Sequence, residues 1–386
     1  MIKVLDKFYN SPEYIYEKGI FATLKRVNNP QVEFINESSE HIGPCIIILC
    51  LDAVTTVPER ILENIVEDYK MCDGNKLIID TSLEDFINTN FYHVTDYFLD
   101  EDRIKPEDIV VLTSQNSTYH FRHDFKIPFK IVSINTFEYA YYHTEVHEKN
   151  LPVPEIKPRK LDYHFSYFIK NARTTRKLIH AYMFMQGYLD KCFCSYHNLV
   201  SPFDDSDWYM FDEFDIQRPK DILELGKQII IDDHYNTGEW SMPPIAVENS
   251  GVHITLETHA YMTHISKRQL SHDHRVFMTE KTYKPFFYGL PCINPGIPQW
   301  THNIEKIGYK TFEKYFNTEI DNSDYQTSFA SYFKLIDEIA NYSLSQLEDI
   351  VNSKEVLDDC KHNQDWFLSQ NETHRLVRAF GRILDK

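Results

Sequence analysis

The chain has 386 residues, of which 42% are hydrophobic and 14% aromatic, and its formal net charge at pH 7 is −18. This length exceeds what one hydrophobic core usually holds, so we expect two domains. The hydrophobic content excludes a largely disordered chain. The negative charge disfavours nonspecific binding of nucleic acid over the whole surface, but it is compatible with a local basic groove.

The sequence contains no segment that predicts a membrane span or a secretion signal. Its longest apolar run, Cys45–Leu51, is long enough only for a strand. The first residues, MIKVLDKFYN, lack the apolar region of a signal peptide. The seven cysteines are odd in number and form no metal-like array, which favours reduced thiols. We therefore expect a cytoplasmic protein with no membrane partner.

The first half of the chain alternates near-continuous apolar runs with helical segments. This rhythm is typical of a parallel sheet whose strands are buried on both faces. Residues 1–40 are mixed and polar, and we assign them no chemical role. We expect the first domain to span residues 1–150. Its predicted strands are Cys45–Leu51, Lys76–Asp80, Asp108–Leu112 and Lys130–Ile134, and its predicted helices are Pro58–Met71 and Leu83–Asn88.

A proline-rich segment separates the two halves. Leu151–Pro158 carries three prolines in eight residues, which predicts an extended linker over residues 151–160. The alternative is an edge loop inside one domain. The α/β rhythm then restarts in a second domain, residues 161–362, with an irregular insertion at 201–245 and a C-terminal helix in residues 363–386. Its predicted strands are Tyr163–Ile169, Lys191–Tyr196, Val252–Glu257 and Cys292–Ile293, and its predicted helices include Lys177–Met185, Ser328–Ala340, Leu344–Cys360 and Asn363–Leu384.

The segment Phe277–Trp300, FMTEKTYKPFFYGLPCINPGIPQW, predicts a loop, a helix and a short buried strand. Thr279 suits a helix N-cap, and Gly289 suits the end of the helix. The spacing of Tyr283, Phe286, Phe287 and Leu290 predicts one buried helix face.

A phosphate would bind well at the start of this helix, where free N–H groups, the helix dipole and the ammonium of Lys281 all favour an anion. The carboxylate of Glu280 is better suited to the two hydroxyls of a ribose. The alternative is a capping motif with a solvated Glu–Lys pair on an ordinary surface helix.

The same segment resembles the donor-site motif of fucosyltransferase-like GT-B glycosyltransferases, and in particular their phage-encoded relatives. The pattern TEK-x-x-K-P, then G-x-P-[FC]-I, is followed by a GF-x-TF-like element at Ile307–Phe312. The resemblance covers roughly residues 163–315. It implies an α/β fold of the GT-B type, with two Rossmann-like domains whose parallel sheets face each other across a cleft. It also implies that Glu280 holds the ribose of a nucleotide sugar, that Lys281 holds its diphosphate, and that Lys284 belongs to the same motif.

A second basic turn, Lys170–Arg176, follows a predicted strand and opens a helix, at the edge where ligands bind in open α/β sheets. Arg173 and Arg176 are three residues apart, so both can project from the first turn and bind phosphate oxygens. The alternative is a solvated basic turn. The resembling family has an N-x-x-x-x-R pattern here, which Asn171 and Arg176 match. Glu257 is predicted to fix a ribose, a base edge or Lys281, or else to cap the next turn.

The catalytic base of an inverting transferase must be a carboxylate that accepts the proton of the acceptor hydroxyl. Asp80, at a strand end, is the first candidate, and Asp52 is the second. Each also suits a helix N-cap. The 18 histidines form no H-E-x-x-H pattern, and Asp204–Asp207 suits a solvated acidic loop, so we expect no metal and no cofactor besides the donor.

Taken together, these features predict an inverting, metal-independent glycosyltransferase that uses a nucleotide sugar. The phage resemblance implies 5-hydroxymethylcytosine in double-stranded DNA as the acceptor, with the host cytoplasm as the location. The alternatives are a glycan or lipopolysaccharide acceptor, or a non-catalytic nucleotide-sugar-binding protein. A nucleotide-dependent epimerase is disfavoured because the sequence has no glycine-rich dinucleotide fingerprint.

Overall fold

The computed structural model describes residues 2–7, 9, 24–25, 32–35, 44–51, 57–71, 74–81, 89–113, 128–133, 138, 141–142, 146, 149–170, 174–197, 229, 241–257, 278–295, 299–321, 323 and 325–369. The chain divides into two compact units, one within residues 1–149 and the other spanning residues 150–369. Each unit holds a parallel sheet, of six and of four strands respectively. The chain is therefore a mixed α/β protein, which confirms the α/β part of the predicted fold class. Its two parallel sheets are compatible with two Rossmann-like domains.

The first unit is built on a six-stranded parallel sheet. Its strands are β1 Ile2–Leu5, β2 Val32–Ile35, β3 Ile46–Cys50, β4 Lys76–Asp80, β5 Ile109–Thr113 and β6 Lys130–Ser133, and its helices are α1 Glu59–Lys70 and α2 Thr89–Leu99. The strand order is β2-β1-β3-β4-β5-β6. Strands β3 and β5 are buried along their whole length, which explains why uninterrupted apolar runs predicted them.

The sequence analysis missed several elements of the first unit. Strands β1 and β2 have only four residues each and lie at one side of the sheet, where partly exposed positions break the apolar run. Helix α2 was not predicted either, and the helix predicted at Leu83–Asn88 lies outside the described residues.

The second unit is built on a four-stranded parallel sheet in the order β10-β9-β7-β8. Its strands are β7 Tyr163–Ile169, β8 Cys192–Tyr196, β9 Ser250–Ile254 and β10 Cys292–Ile293. Its helices are α3 Thr174–Met185, α4 Pro244–Asn249, α5 Glu280–Tyr288, α6 Trp300–Lys306, α7 Tyr325–Asn341, α8 Leu344–Val351 and α9 Lys354–Leu368. None of the described helices of either unit is long and apolar enough to cross a membrane.

The core of the second unit lies mainly between one face of this sheet and helices α3 and α7. Alternate residues of the strands, including Phe165, Ile254 and Ile293, belong to one buried cluster with Leu178 of α3 and Phe329 of α7. A smaller cluster on Phe193 joins Ala246 of α4 and Leu290, which follows α5. Helices α4 and α5 therefore lie on the opposite face of the sheet.

Several boundaries in the second unit differ from the predicted ones. Strand β9 ends at Ile254, so Glu257 lies beyond the strand that was predicted to contain it. Helix α3 begins at Thr174, three residues before the predicted start at Lys177.

The C-terminal helices also differ from the predicted ones, which were separated by a break between Cys360 and Asn363. The segment predicted as one helix over Leu344–Cys360 is split at Asn352–Ser353 into α8 and α9, and each of these helices has its own N-cap. Ser343 forms a capping box with Gln346, and the hydroxyl of Ser353 accepts a hydrogen bond from the backbone N–H of Val356. Helix α9 then continues through Asn363, where the last helix was predicted to begin. Residues 370–386, the rest of that predicted helix, lie outside the described residues.

The predicted linker, residues 151–160, has no helix or strand, as expected of an extended segment, but it is bound to the second unit. The buried guanidinium of Arg159 donates to the carbonyl oxygens of Val247 and Ser250, both at 3.1 Å. The side chain of Asn352 accepts from the backbone N–H of Arg159 and donates to its carbonyl oxygen, both at 2.8 Å. The segment therefore packs against the second unit and is not a freely moving spacer.

We expect Arg159→Ala to lower the free energy of unfolding of the second unit by about 2 kcal/mol or more, because it leaves buried carbonyl groups without their charged donor. Denaturant unfolding measures this loss. Lys157→Ala is the matched control, since that side chain is 66% exposed and its ion pair with Glu155 lies in solvent. Equal unfolding midpoints for the two variants would contradict the conclusion that residues 151–160 pack against the second unit.

Candidate functional site

Helix α5 begins and ends where the sequence predicted. Thr279 has an extended backbone, and its hydroxyl accepts a hydrogen bond from the backbone N–H of Lys281, which makes it the N-cap. Gly289 ends the helix in the left-handed conformation, with φ of 66°. A side chain there would also collide with Ile156, because an added Cβ would lie 1.8 Å from its Cδ1 atom. The left-handed backbone therefore favours glycine, and any other residue would also have to displace the side chain of Ile156.

The predicted apolar face of the helix is buried. Tyr283, Phe286, Phe287 and Leu290 are each at most 1% exposed. The ring of Phe286 stacks on Tyr309, with 4.4 Å between the ring centroids. Because Tyr309 belongs to the Ile307–Phe312 element that the resemblance singled out, two parts of the motif pack directly against each other.

The carboxylate of Glu257 holds the start of this helix. It accepts hydrogen bonds from the Thr279 backbone N–H at 2.8 Å, the Thr279 hydroxyl at 2.6 Å and the Thr282 hydroxyl at 2.6 Å. The residue is 1% exposed. Of the roles proposed from the sequence, this geometry corresponds to the cap of the following turn, and the roles toward a ribose or a base edge remain predictions.

Glu280 and Lys281 form a close ion pair at the start of α5. The Glu280 side chain is only 8% exposed, whereas that of Lys281 is 28% exposed, so the pair is not the solvated surface pair of the alternative interpretation. Burial by itself would raise the pKa of Glu280, but the charges of Lys281 and Lys284 outweigh burial and lower this pKa to about 2. Glu280 is therefore a buried anion held by two neighbouring cations.

Arg176 lies in the first turn of α3 and joins this helix to the end of β9. Its side chain is buried, and its Nε atom donates to the carbonyl oxygen of Leu256 at 3.1 Å. The guanidinium is thus held at the backbone that leads from β9 to Glu257, at the predicted edge of the sheet. The other two residues of the predicted basic turn, Asn171 and Arg173, lie outside the described residues.

The carboxyl ends of strands β9 and β10 meet at the start of α5. Ile254 of β9 pairs with Ile293 of β10, and both side chains belong to the core cluster on the α3 and α7 side. Side chains alternate along strands, so Thr255 and Asn294 lie on the other face, toward α5. Glu257, two residues after Thr255, contacts the first turn of α5. Several polar side chains therefore converge at one end of this sheet.

Asn294 is a site residue that the sequence analysis passed over. Its tripeptide Asn294-Pro295-Gly296 has a composition that is typical of turns. The side chain is fully buried, and neither its amide nitrogen nor its amide oxygen has a hydrogen-bond partner among the described residues. No pattern in the sequence distinguishes such a buried amide from an ordinary turn residue.

Two buried titratable side chains of this unit, His253 and Glu313, were also not predicted as site residues from the sequence. The Nδ1 atom of His253 lies 3.0 Å from the hydroxyl of Ser166, and burial, with the charge of Lys284, lowers the histidine pKa to about 3. Glu313 accepts hydrogen bonds from the Tyr332 hydroxyl at 2.9 Å and the Phe312 backbone N–H at 3.1 Å. Burial raises the pKa of Glu313 to about 7, although these hydrogen bonds oppose the shift.

The first candidate for the catalytic base, Asp80, is the last residue of β4, as the sequence predicted. Its side chain is 3% exposed and lies beside the thiol of Cys50, with 3.7 Å between Sγ and Oδ2. Burial raises the pKa of Cys50 well above its ordinary value, and the charge of Asp80 raises it further. The second candidate, Asp52, lies outside the described residues, so the identity of the base stays a prediction.

Among the described residues, no group of three or more His, Cys, Asp or Glu side chains could hold a metal ion. The acidic segment Asp204–Asp207 and the histidines between residues 258 and 277 lie outside the described residues.

Comparisons of the chain with protein-family models, with curated proteins and with solved structures gave no match. The function must therefore be inferred from the site itself.

We expect Glu257→Ala to lower the free energy of unfolding by about 2–4 kcal/mol, because three buried donors lose a charged acceptor. Glu257→Gln keeps one side-chain oxygen as an acceptor and should cost less. Denaturant unfolding measures both changes, and amide hydrogen exchange at Thr279–Tyr283 should accelerate in the alanine variant. Wild-type exchange in that variant would contradict the role of Glu257 as the cap of α5.

The raised pKa of Glu313 predicts a pH dependence of stability. Between its ordinary pKa of 4.5 and about 7, the folded chain keeps a proton that the unfolded chain loses. Stability should therefore fall as the pH rises through this window, by on the order of 3 kcal/mol, and level off above it. Chemical unfolding at a series of pH values measures the slope. Glu313→Gln should remove it and the exposed control Glu319→Gln should keep it; an unchanged slope in Glu313→Gln would refute the assignment.

Proposed function

We propose that this chain is a glycosyltransferase of the GT-B type, which binds the diphosphate of a nucleotide sugar at the start of α5. The observation that carries the proposal is the position of Lys281. Its partly exposed ammonium lies at the N-terminus of a helix that starts at the carboxyl end of a parallel sheet. Backbone N–H groups, the helix dipole and the ammonium all favour an anion there. The resemblance of TEK-x-x-K-P to a donor-site motif supports the same function.

The ion pair with Glu280 gives Lys281 a defined position before any donor binds. Glu280 is buried and ionised, and its contact with Lys281 reduces the conformational freedom of the longer side chain. A preorganised ammonium loses less entropy when it binds a diphosphate. In this proposal Glu280 also accepts hydrogen bonds from the ribose hydroxyls, as its resemblance to the TEK glutamate implies.

The proposed reaction is a single displacement with inversion at the anomeric carbon. A carboxylate, Asp80 or Asp52, accepts the proton of the acceptor hydroxyl, and the oxygen of that hydroxyl forms the new bond to the anomeric carbon. The bond between this carbon and the diphosphate oxygen breaks, and the diphosphate leaves with the electron pair. Lys281, Arg176 and the N–H groups of α5 stabilise the leaving diphosphate, as oxyanion donors do. Asn171, Arg173 and Lys284 complete the proposed donor site.

The proposed acceptor is the hydroxymethyl group of 5-hydroxymethylcytosine in double-stranded DNA, which the phage-type resemblance favours. Duplex DNA would need local Lys and Arg side chains along its backbone, because the chain as a whole is acidic. A glycan hydroxyl is the second acceptor in this proposal, and the net charge of −18 favours it.

We expect Lys281→Ala to lower turnover by about 100-fold or more, on the scale of losing one oxyanion-type donor. The donor is first identified by thermal-shift screening of nucleotide sugars. Transfer is then measured by mass spectrometry of nucleosides after incubation with hydroxymethylcytosine DNA, and in parallel with glycan acceptors. Lys306→Ala, at an exposed position near the end of α6, is the control and should keep full activity. Full activity in Lys281→Ala would remove the donor-site assignment.

A further inference from the structure

At the position of Asn294, an apolar side chain would be expected to stabilise the fold more than an asparagine does. It follows the two-residue strand β10 and is fully buried on the α5 face of the sheet, beside Thr255 of the neighbouring strand. An asparagine side chain offers two N–H donors and a carbonyl oxygen with two lone pairs. Among the described residues none of these is used. Leaving buried polar atoms unpaired costs on the order of 1–3 kcal/mol, and the great majority of such groups in folded proteins have a partner.

Buried asparagines elsewhere in the same unit do have partners. Asn363, 1% exposed, accepts from the Lys310 backbone N–H at 2.7 Å and donates to the Lys310 carbonyl oxygen at 2.9 Å. Asn303, 7% exposed, donates to the Gln299 carbonyl oxygen at 2.8 Å. Asn294 thus differs from these two asparagines because its side chain has no hydrogen-bond partner among the described residues. It lies at the end of the sheet where we propose that the anion binds.

A second buried polar group lies six residues further along the chain. Trp300, the first residue of α6, is fully buried, and its indole N–H has no hydrogen-bond partner among the residues that the structure describes. Together Asn294 and Trp300 offer three N–H donors and one carbonyl acceptor without a partner in the described part of the chain.

We propose that Asn294 binds hydroxyl groups of the sugar moiety of the nucleotide-sugar donor, next to the diphosphate held at the start of α5. This inference rests on the proposed function. It assigns recognition of the sugar to a residue outside the TEK-x-x-K-P motif. Sugar hydroxyls both donate and accept, so a neighbouring pair of them can accept from the amide nitrogen and donate to the amide oxygen. A diphosphate only accepts, which makes it a poor match for the amide oxygen.

The enclosure of Asn294 has a consequence for binding. A sugar that reaches the amide must displace the atoms that now cover it, and the free energy of this displacement is part of the measured affinity. The amide also discriminates between donors, because only a sugar with matching hydroxyl groups gains hydrogen bonds to the amide oxygen and nitrogen.

The test compares Asn294→Leu with Asn363→Leu by thermal unfolding and by calorimetric binding of two probes, UDP-glucose and UDP, or the matching pair from the thermal-shift screen. Asn294→Leu should keep or raise the melting temperature without ligand, because an unpaired amide is replaced by an apolar group of similar size. It should weaken binding of the nucleotide sugar about tenfold or more and leave binding of the nucleoside diphosphate unchanged. Asn363→Leu should lower the melting temperature, since it removes two satisfied hydrogen bonds.

The remaining outcomes separate the inference from the proposed function. Equal weakening of both probes would place Asn294 at the nucleoside or diphosphate and overturn the inference while keeping the proposed function. A melting temperature that falls in Asn294→Leu as it does in Asn363→Leu, with binding unchanged, would make the amide structural and also overturn it. If neither probe type binds the wild-type chain, the proposed function fails, and the inference fails with it.

Discussion

The second unit depends on the contact between the carboxylate of Glu257 and the first turn of helix α5. A helix start leaves backbone N–H groups without intrahelical partners, and this one is buried. Glu257 satisfies the N–H of Thr279 and two threonine hydroxyls at once. It thereby fixes the distance between the end of strand β9 and the start of the helix. The positions of Glu280 and Lys281 follow from this contact, because both lie in the turn that it holds.

Burial has opposite consequences for two carboxylates of this unit, and the difference lies in their neighbours. Glu280 has Lys281 and Lys284 close by, and their charges hold its pKa at about 2 in spite of burial. Glu313 has neutral hydrogen-bond donors, and burial raises its pKa to about 7. The first is an anion at any physiological pH, which suits a group that holds the ammonium of Lys281 in place. The second changes its charge near neutrality, so it couples the stability of the unit to pH.

Several buried polar groups of the second unit bind partners in distant segments, whereas neither polar atom of the Asn294 amide has a partner among the described residues. The guanidinium of Arg159 finds carbonyl acceptors and joins the proline-rich segment to the sheet. Asn363 joins helix α9 to the segment at Lys310. Natural sequences depart from such local consistency chiefly at functional sites. Asn294 follows strand β10 at the end of the sheet where helix α5 starts, and its amide has no partner among the described residues. For this reason we connect it with the sugar of the proposed donor.

Local patterns in the sequence determined the α/β class, the central strands and the bounds of helix α5, because each follows from neighbouring residues. Apolar runs mark strands buried on both faces, and Thr279 and Gly289 cap their helix through their own chemistry. The break between α8 and α9 is encoded locally by Ser353, the N-cap of α9, although the pattern predicted one helix. Strands β1 and β2 were too short to stand out. Tertiary structure alone decided that Glu257 caps α5, that Glu280 is buried and that Asn294 has no partner among the described residues. These facts depend on which side chains from distant segments meet at the end of a sheet, and spacing along the chain carries no record of that.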